Sequence, residues 1–422
     1  QDCDWSPDGR RLAVIRRVGD LWRLEYPLGT VLLETPRWIS AVRISPDDRA
    51  IAFLEHRVLG DDAARVVIVD RNGKAVAQSD EWPSTGGLAW HPRTGEVWIA
   101  AEIEGGRDLV AFSPSGETRT VYNVPGRLTV HDISADGKAL LAYEVARRGM
   151  IAVCLSESSE RNLSWFDWSY PGALSNDGRC LLFEEHIAQA GTYSMHLRDT
   201  EGAPAVRLGE GRVRAVSPDG RYAIAASLTS PHQITLVPTG AGDARSVTME
   251  NFESLLAWHW RSDDEVLVWG HQQGQPLRLF GVDVHSGRTR VVIESELRFP
   301  SAMDAAGDRL AAVRVSDGRV VVFSLSSGEV AEVAGGESGD VPLAWTQDGS
   351  SLFVLQQDGA TQARIFRAGV ASSDRELHTT IRPSDPAGIL GVGPVLIAPS
   401  GDRYVYGYRR FLSDLFIVDN LQ

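Results

Sequence analysis

The sequence predicts an all-β protein, a β-propeller built from about ten four-stranded repeat units. A turn of the type Ser-Pro-Asp-Gly, as at Ser217–Gly220, recurs along the whole chain. Its interval of about 40–45 residues is the period of four-stranded propeller blades. Apolar and β-branched residues flank each copy, and almost no segment has the helical spacing of apolar residues.

The chemistry of the turn explains why each copy predicts a hairpin. Pro218 has a φ that tight turns accept, Asp219 bonds to nearby backbone amides, and Gly220 accepts a positive φ at little cost. The strand-forming runs on either side then pair in an antiparallel hairpin. The copies lie at Trp5–Gly9, Ile44–Asp48, Trp90–Gly95, Ile133–Gly137, Leu174–Gly178, Val216–Gly220, Trp260–Asp264, Asp304–Asp308, Trp345–Gly349 and Ala398–Asp402.

Strand-forming runs follow each turn and predict the strands in chain order. They are Leu12–Arg16, Leu21–Tyr26, Thr30–Glu34, Ala50–Leu54, Arg65–Asp70, Glu96–Ala101, Asp108–Phe112, Ala139–Tyr143, Met150–Leu155, Cys180–Glu184, Tyr193–Arg198, Tyr222–Ala226, Gln233–Val237, Glu265–Trp269, Leu277–Val284, Arg309–Val313, Arg319–Leu325, Ser351–Leu355, Ala363–Arg367, Pro394–Ala398, Tyr404–Tyr408 and Asp414–Val418. The last repeat ends without a fourth strand. Because too few residues precede Asp4 to supply one, we expect either a three-stranded last blade or a closing strand from residues before Gln1.

Composition and charge restrict the kinds of partner. The net charge of −14 is spread along the chain, which favours solubility and disfavours nucleic acid as a partner. Cys3, Cys154 and Cys180 lie far apart without a C-x-x-C spacing, so neither a disulfide framework nor a zinc site is predicted. No apolar run of about 18 residues predicts a membrane span.

The motifs of common catalytic centres are absent from the sequence. There is no G-x-S-x-G nucleophile turn, no phosphate-binding or dinucleotide-binding glycine loop, no H-E-x-x-H, and no kinase catalytic loop. Trp5, Trp90, Trp258, Trp260 and Trp345 lie in or beside first strands, which favours packing between blades over ligand stacking. The sequence therefore predicts no catalytic residues.

Charged residues and histidines occur where the second and third strands of several repeats are connected. In a propeller such loops meet on one face, where propellers usually bind their ligands. A mixed charge on that face suits a protein or peptide partner, and a plain solvated surface is the alternative. The predicted partner face consists of Arg17, Asp20, His56, Asp61, Asp62, Arg147, Arg148, His186 and His271.

Two groups in this face are candidates for a metal site. Asp61 and Asp62 are paired carboxylates on a loop, but no D-x-D-x-D-G pattern surrounds them, and we interpret them as a solvated turn. His56, His186 and His271 each follow a second strand and are expected on one face. A shared metal or pH-sensing role is the alternative to coincidence. Because the histidines come from non-adjacent repeats, we predict no metal and no cofactor.

Several stretches resemble the C-terminal propeller region of a group of bacterial serine/threonine protein kinases, and the repeats resemble TolB-type, WD-repeat-like units. The resemblance covers essentially the whole chain, and its ending, Y-V-Y-G-Y-R-R-F-L-S-D-L-F-I-V, is the most specific part. The stretches are Asp4–Val14, Arg23–Gly29, Gly60–Asp62, Ala146–Met150, Pro204–Gly211, Leu236–Gly242 and Tyr404–Val418.

The resemblance implies a parent protein with a cytoplasmic kinase domain, a membrane segment and this propeller on the extracytoplasmic side. It also implies about two further blades before Asp4, whereas no ATP-binding or catalytic residue of the kinase has a counterpart here. We predict four repeats in residues 1–168, as part of a ring with upstream blades, and a six-bladed propeller in residues 169–422. One continuous propeller is the alternative.

The predicted function is that of a non-catalytic sensor or protein-interaction domain. Its predicted partner is a protein or a peptide. The domain is expected to be associated with a membrane only through its parent chain. One alternative is a free-standing TolB-like or peptidase-associated scaffold propeller, for which a cytoplasmic location stays open. Another is a propeller lyase or lactonase, which needs clustered His, Asp or Glu in its channel.

Overall fold

A computed structural model describes the chain except residues 1, 20, 58, 60, 61, 104, 105, 125, 158, 188–191, 227–231, 250, 273, 295, 296, 420 and 422. The regular structure of the described residues consists of β-strands, and most of them form antiparallel sheets of four strands in chain order. The predicted all-β propeller class is therefore confirmed, while the exact number of blades stays a prediction. No helix among the described residues is long and apolar enough to cross a membrane.

The chain divides into two compact units by its internal contacts. Unit 1 comprises Gln1–Val145 with Leu412–Gln422, and unit 2 comprises Ala146–Phe411. The unit boundary thus follows Val145, whereas the sequence placed a domain boundary near Trp168. The division into domains 1–168 and 169–422 stays a prediction.

Unit 1 contains two sheets in the order β1-β2-β3-β4 and β5-β6-β7-β8, followed by β9 to β13. Its strands are β1 (Asp2–Trp5), β2 (Leu12–Val18), β3 (Leu21–Glu25), β4 (Val31–Thr35), β5 (Trp38–Ile44), β6 (Ala50–His56), β7 (Arg65–Asp70), β8 (Ala75–Gln78), β9 (Thr85–Trp90), β10 (Val97–Glu102), β11 (Arg107–Phe112), β12 (Thr118–Tyr122) and β13 (Arg127–Ile133).

Two sixteen-residue strands, β14 (Ala139–Cys154) and β37 (Arg403–Val418), have residues in both units. The sequence predicted two strands in each of these segments, and that prediction is wrong. The physical reason is that neither segment contains an Asn-Gly, Asp-Gly or proline turn, so nothing breaks the extended backbone.

Unit 2 contains five four-stranded sheets that run from β16 to β35 in chain order. The strands are β15 (Ser159–Asn162), β16 (Ser169–Leu174), β17 (Cys180–Ile187), β18 (Thr192–Asp199), β19 (Val206–Glu210), β20 (Arg212–Val216), β21 (Tyr222–Ala226), β22 (His232–Pro238), β23 (Arg245–Met249), β24 (Phe252–Trp260), β25 (Glu265–Gln272), β26 (Arg278–Asp283), β27 (Thr289–Ile293), β28 (Leu297–Met303), β29 (Arg309–Arg314), β30 (Val320–Ser324), β31 (Val330–Glu332), β32 (Val341–Trp345), β33 (Ser351–Gln357), β34 (Ala363–Gly369), β35 (Arg375–Ile381) and β36 (Ile389–Ile397).

The sheet that follows β35 in unit 2 is completed by residues from the start of that unit. Within unit 2 its strands pair in the order β36-β37-β14-β15, and Leu155 N donates to Asp402 O at 2.8 Å where β14 and β37 meet. The expectation of a missing fourth strand is therefore wrong, because β15 takes that place. The first strands of the six sheets contact one another in sequence, and β36 contacts β16, so the contacts run around a circle.

The core lies between successive sheets, where apolar side chains of neighbouring sheets interdigitate. One cluster joins Ile224 and Leu236 of one sheet to Val268 and Phe280 of the next. Among the tryptophans predicted to pack there, Trp90, Trp258 and Trp345 are buried. The prediction is wrong for Trp5, which is 60% exposed, and Trp260 is half-buried.

Candidate functional site

A cleft of about 370 Å³ opens in unit 1 beside the first strands of its sheets, β1, β5, β9 and β13. We call it the unit 1 cleft. Its walls combine hydroxyl groups, carboxylates, imidazoles and one indole. Its lining side chains include those of Trp38, Ser40, His56, Asp62, Thr85 and Thr129. Its volume lies within the range of ligand-binding clefts.

Asp62, a predicted site residue, is fixed at the wall of the cleft by three donors. Its Oδ2 accepts hydrogen bonds from Ser84 Oγ at 2.8 Å, from Arg127 Nη2 at 2.8 Å, and from Arg107 Nη2. The almost fully buried Arg107 also donates through Nε to Ser84 Oγ at 2.7 Å. Asp62 Oδ1 receives no hydrogen bond from the described residues, and 45% of the side chain is exposed.

The surrounding charges favour the ionised form of Asp62. Burial raises the pKa of Asp62, but the Ser84 hydrogen bond and the charges of Arg107 and Arg127 outweigh it and lower the pKa below its usual value. Burial and the charge of Arg127 lower the pKa of the Arg107 guanidinium. Glu144 adds a second carboxylate, whose Oε2 lies 3.8 Å from Arg107 Nη1.

His56 is a rigid part of the same wall. Its ring stacks on Trp38 with centroids 3.9 Å apart. Nδ1 lies 3.0 Å from the carbonyl oxygen of Ala63, and Nε2 lies 2.8 Å from Ser40 Oγ. A carbonyl only accepts, so in a neutral ring Nδ1 carries the proton and Nε2 accepts from the Ser40 hydroxyl.

The sequence pattern identified His56 and Asp62 but not the groups that position Asp62. Ser84, Arg107 and Arg127 come from different segments of the chain, and no short motif links them. One feature of the sequence could have indicated this network. Arg107 lies beside the largely apolar run Asp108–Phe112, and an arginine buried there requires a partner of opposite charge.

The predicted arginines lie in strands. Arg17 belongs to β2 of unit 1, whereas Arg147 and Arg148 belong to the part of β14 that lies in unit 2. The prediction that they occupy loops is wrong, because both strands continue through them. Arg147 forms an exposed ion pair with Asp167, with Nε and Oδ1 3.0 Å apart.

Arg148 and His186 both lie beside the indole ring of Trp168 in unit 2. Cζ of Arg148 lies 4.7 Å from the ring centroid of Trp168 and 5.4 Å from that of Tyr170. The ring of His186, at the end of β17, has its centroid 6.0 Å from Trp168 and 4.8 Å from Tyr193. Stacking of a guanidinium on aromatic rings is a favourable contact.

The remaining predicted residues form no common site. His271 lies near the end of β25 of unit 2, with Nδ1 3.5 Å from the carbonyl oxygen of Gln275. Asp20 and Asp61 lie outside the described residues. No group of three His, Cys, Asp and Glu side chains in the described part of the chain is placed to hold a metal ion.

The comparisons with known proteins bear on the fold. No family model matches the chain, and no curated protein does. A solved structure assigned as TolB from Agrobacterium tumefaciens has 16% identity and a TM-score of 0.47, and the alignment covers 63% of this chain and 98% of that one. TolB from Acinetobacter baumannii has 14% identity, a TM-score of 0.34, and coverages of 75% and 80%.

A prolyl endopeptidase structure also resembles the chain, with 14% identity and a TM-score of 0.32. The alignment covers 92% of this chain and 50% of the endopeptidase, so the chain spans half of that protein's length. At such identities a structural likeness concerns the fold alone.

Proposed function

We propose that this β-propeller chain is a non-catalytic sensor or protein-interaction domain, and that the unit 1 cleft receives part of a protein or peptide partner. The observation that carries the proposal is the arrangement of Asp62, whose Oδ2 is held by three donors while Oδ1 receives none from the described residues. An ordered, ionised carboxylate with an open oxygen suits a partner that donates N–H groups.

The hydroxyl groups of the cleft support the same kind of partner. Thr85 Oγ1 donates to the carbonyl oxygen of Asp62 at 2.8 Å, and Thr129 Oγ1 donates to Glu144 Oε1 at 2.8 Å. Where the His56 ring is neutral, Ser40 Oγ donates to its Nε2. Because these hydroxyl hydrogens are already engaged, the hydroxyls offer acceptor lone pairs to the cleft. We therefore propose a peptide segment with a lysine, an arginine or a free amino terminus.

The parent chain is a separate proposal, supported by the resemblance of stretches such as Asp4–Val14 and Tyr404–Val418. We propose that the domain is the extracytoplasmic C-terminal region of a bacterial membrane-bound serine/threonine protein kinase. The open reading frame upstream of Gln1 tests this. A kinase domain and a membrane segment in that frame support the proposal, and a frame without them favours the free-standing scaffold propeller.

Selection from a phage-displayed peptide library tests the binding function. The affinity of each selected peptide is then measured for three proteins: the unaltered chain, His131→Trp and Tyr122→Trp. His131→Trp adds an indole at an exposed residue of the cleft, and Tyr122→Trp, on the exposed strand β12, is the control. We expect peptides that contain a basic residue, and affinities about tenfold weaker for His131→Trp alone. Equal affinities for all three proteins would show that the peptides bind outside the unit 1 cleft.

A further inference from the structure

The last sheet of unit 1 has fewer strands than the other sheets of that unit. β1 to β4 pair in succession, as do β5 to β8 and β9 to β12. The last sheet consists of β13, the part of β14 up to Val145 and the part of β37 from Leu412 onward. In the described part of unit 1, no fourth strand follows β37.

The segment Leu412–Val418 of β37, which we call the open edge, pairs with one strand alone. The end of β14 meets the start of β37, where Leu155 N donates to Asp402 O, so these two strands run antiparallel. The residues Ala139–Val145 of β14 therefore lie beside the open edge. The other neighbour of β37 is β36, which pairs with Tyr404–Arg410. One side of the open edge thus presents backbone N–H and C=O groups that no described strand pairs with.

The open edge has the composition of a covered strand but is exposed. Its sequence, L-S-D-L-F-I-V, is as apolar as the third strands β7 (R-V-V-I-V-D) and β11 (R-D-L-V-A-F), whose apolar side chains are buried. The outer strand β12, T-R-T-V-Y, is more polar. Every residue from Leu412 to Ile417 is exposed, and the side chains of Leu415 and Ile417 are 63% and 74% exposed. A contiguous exposed apolar segment of this kind is typical of an interaction surface.

The open edge lacks the features that protect exposed strands from pairing. Natural edge strands are protected by charged residues, by proline or by a short length. The open edge contains no proline, and Asp414 is its one charged residue. It is also longer than the outer strands β8 and β12, which have four and five residues. An unpaired backbone edge of this kind binds another extended strand, because only an extended backbone matches its alternating N–H and C=O groups.

A second copy of the open edge matches the first in its backbone and in its side chains. A two-fold axis perpendicular to the sheet relates two identical strands as an antiparallel pair. If the axis passes at Leu415, this residue faces its own counterpart, and Leu412 faces Val418. Asp414 then faces Phe416, so no like charges lie directly opposite each other. Each copy supplies the unpaired N–H and C=O groups that the other copy requires.

We infer that the open edge of unit 1 pairs antiparallel with the open edge of a second copy of this chain. The pairing joins β13, β14 and β37 of the two copies in one continuous sheet. Both open edges are used in this contact, so the assembly closes at two copies. The contact lies outside the residues that line the unit 1 cleft, and it does not depend on the proposed peptide partner.

Sedimentation equilibrium of the full chain over a range of concentrations tests the pairing. We expect the mass to rise from that of one chain to that of two. Leu415→Lys places two like charges opposite each other, so we expect self-association to weaken by about tenfold. The matched control is Leu377→Lys, at an exposed residue of the outer strand β35, which is expected to leave self-association unchanged.

Three results of this measurement would overturn the inference. A mass of one chain at every concentration would mean that the open edge is left to a strand of a different protein. A mass that grows beyond two chains would contradict a closed pair. Equal weakening by Leu415→Lys and Leu377→Lys would place the contact between copies outside the open edge.

An equimolar mixture of Leu415→Lys and Leu415→Glu tests the register of the pair. Opposite charges then face each other at the two-fold axis, so we expect the mixture to associate about fivefold more tightly than either variant alone. The corresponding mixture of Leu377→Lys and Leu377→Glu is the control for general charge attraction and is expected to show no gain. The absence of a gain in the Leu415 mixture would contradict the antiparallel pairing at this residue.

Hydrogen exchange of the unaltered chain separates the pairing from effects on folding. The backbone amides of residues 412–418 are expected to exchange more slowly as the concentration of the chain rises, because pairing protects them. The amides of the outer strand β12 are expected to exchange at a constant rate. Exchange in residues 412–418 that does not depend on concentration would contradict the pairing, even where a Leu415 variant does not fold.

Discussion

The indole Nε1 of Trp345, at the end of β32, donates a hydrogen bond of 3.1 Å to the carbonyl oxygen of Ala302 in β28. The same relationship recurs in unit 1, where Trp90 Nε1 donates to the carbonyl oxygen of Arg43 at 3.0 Å. In both cases a tryptophan just before a turn joins its first strand to the first strand of the preceding sheet. The contact combines ring burial with a directional bond, so it fixes the spacing of successive sheets.

Replacing Trp345 by Phe tests the value of this bond. The ring is largely kept, but the Ala302 carbonyl loses its buried donor, so we expect a loss of about 1–2 kcal/mol in the free energy of unfolding. Urea denaturation measures it. Trp5→Phe is the control, because Trp5 is exposed and its replacement is expected to change the stability by less than about 0.5 kcal/mol. Equal effects of the two substitutions would contradict the role of the bond.

Gly220 tests the turn chemistry of the repeat. Its φ is +72° and no atom lies within 4 Å of the position that a Cβ would occupy, so a side chain meets backbone strain but no steric contact. We expect Gly220→Ala to destabilise the protein by about 1 kcal/mol, measured by thermal unfolding. The matched control is Gly240→Ala, since Gly240 has equally open space and no positive φ. A neutral Gly220→Ala would contradict the turn assignment.

The repeated turns predict a loss of stability in acid. Hydrogen bonds from Ser217, which contributes most, and from the backbone and side chain of Arg221 lower the pKa of Asp219 from 3.8 to about 2. Because the pKa in the folded state lies below the unfolded value, the contribution of Asp219 is complete above about pH 4 and is lost as the pH falls towards about 2.

Thermal unfolding between pH 5 and pH 2 checks this sign. The difference between the unaltered chain and Ser217→Ala is expected to be largest at pH 5 and to shrink towards pH 2, because a protonated Asp219 no longer gains from the bond. Ser246→Ala serves as the control, since Ser246 bonds to Thr235 and not to a carboxylate, and its effect is expected to be independent of pH. A constant difference for Ser217→Ala would refute the explanation.

The two arginines that hold Asp62 are expected to differ in their contribution to stability. The Arg107 side chain is 7% exposed, so Arg107→Gln removes a charged hydrogen bond from a desolvated site, at a cost of about 2 kcal/mol. The Arg127 side chain is 46% exposed, and solvent screens its interaction, so Arg127→Gln is expected to cost less than about 1 kcal/mol. Urea denaturation compares them, and an equal cost would argue against the buried network.

The repeat fold was predictable because its signals are local. The turn at Ser217–Gly220 bonds within itself: Gly220 N donates to Ser217 O at 2.8 Å, and Ser217 Oγ donates to Asp219 at 2.6 Å. The predicted strand Arg65–Asp70 agrees with β7, and Tyr222–Ala226 agrees with β21, because each apolar run adjoins one of the repeated turns. Such patterns depend only on neighbouring residues.

The errors concern contacts between distant parts of the sequence. The pairing of β14 with β37 joins segments about 250 residues apart, and no local pattern in Glu144–Gly149 shows that the strand continues. The same is true of the candidate sites. Asp62 meets Arg107 across 45 residues, and the sequence pattern around either residue does not identify its partner.

We propose that a peptide partner binds at the first strands of unit 1. Hydrogen exchange of the backbone amides, measured by mass spectrometry with and without a library-selected basic peptide, tests this binding. We predict slower exchange in segments 38–43, 85–87 and 129–131, which line the cleft, and no change in the outer strand β12. Slower exchange confined to segments away from the cleft would contradict peptide binding in the cleft. Unchanged exchange in all segments, at a saturating concentration of a peptide that binds, would contradict it as well.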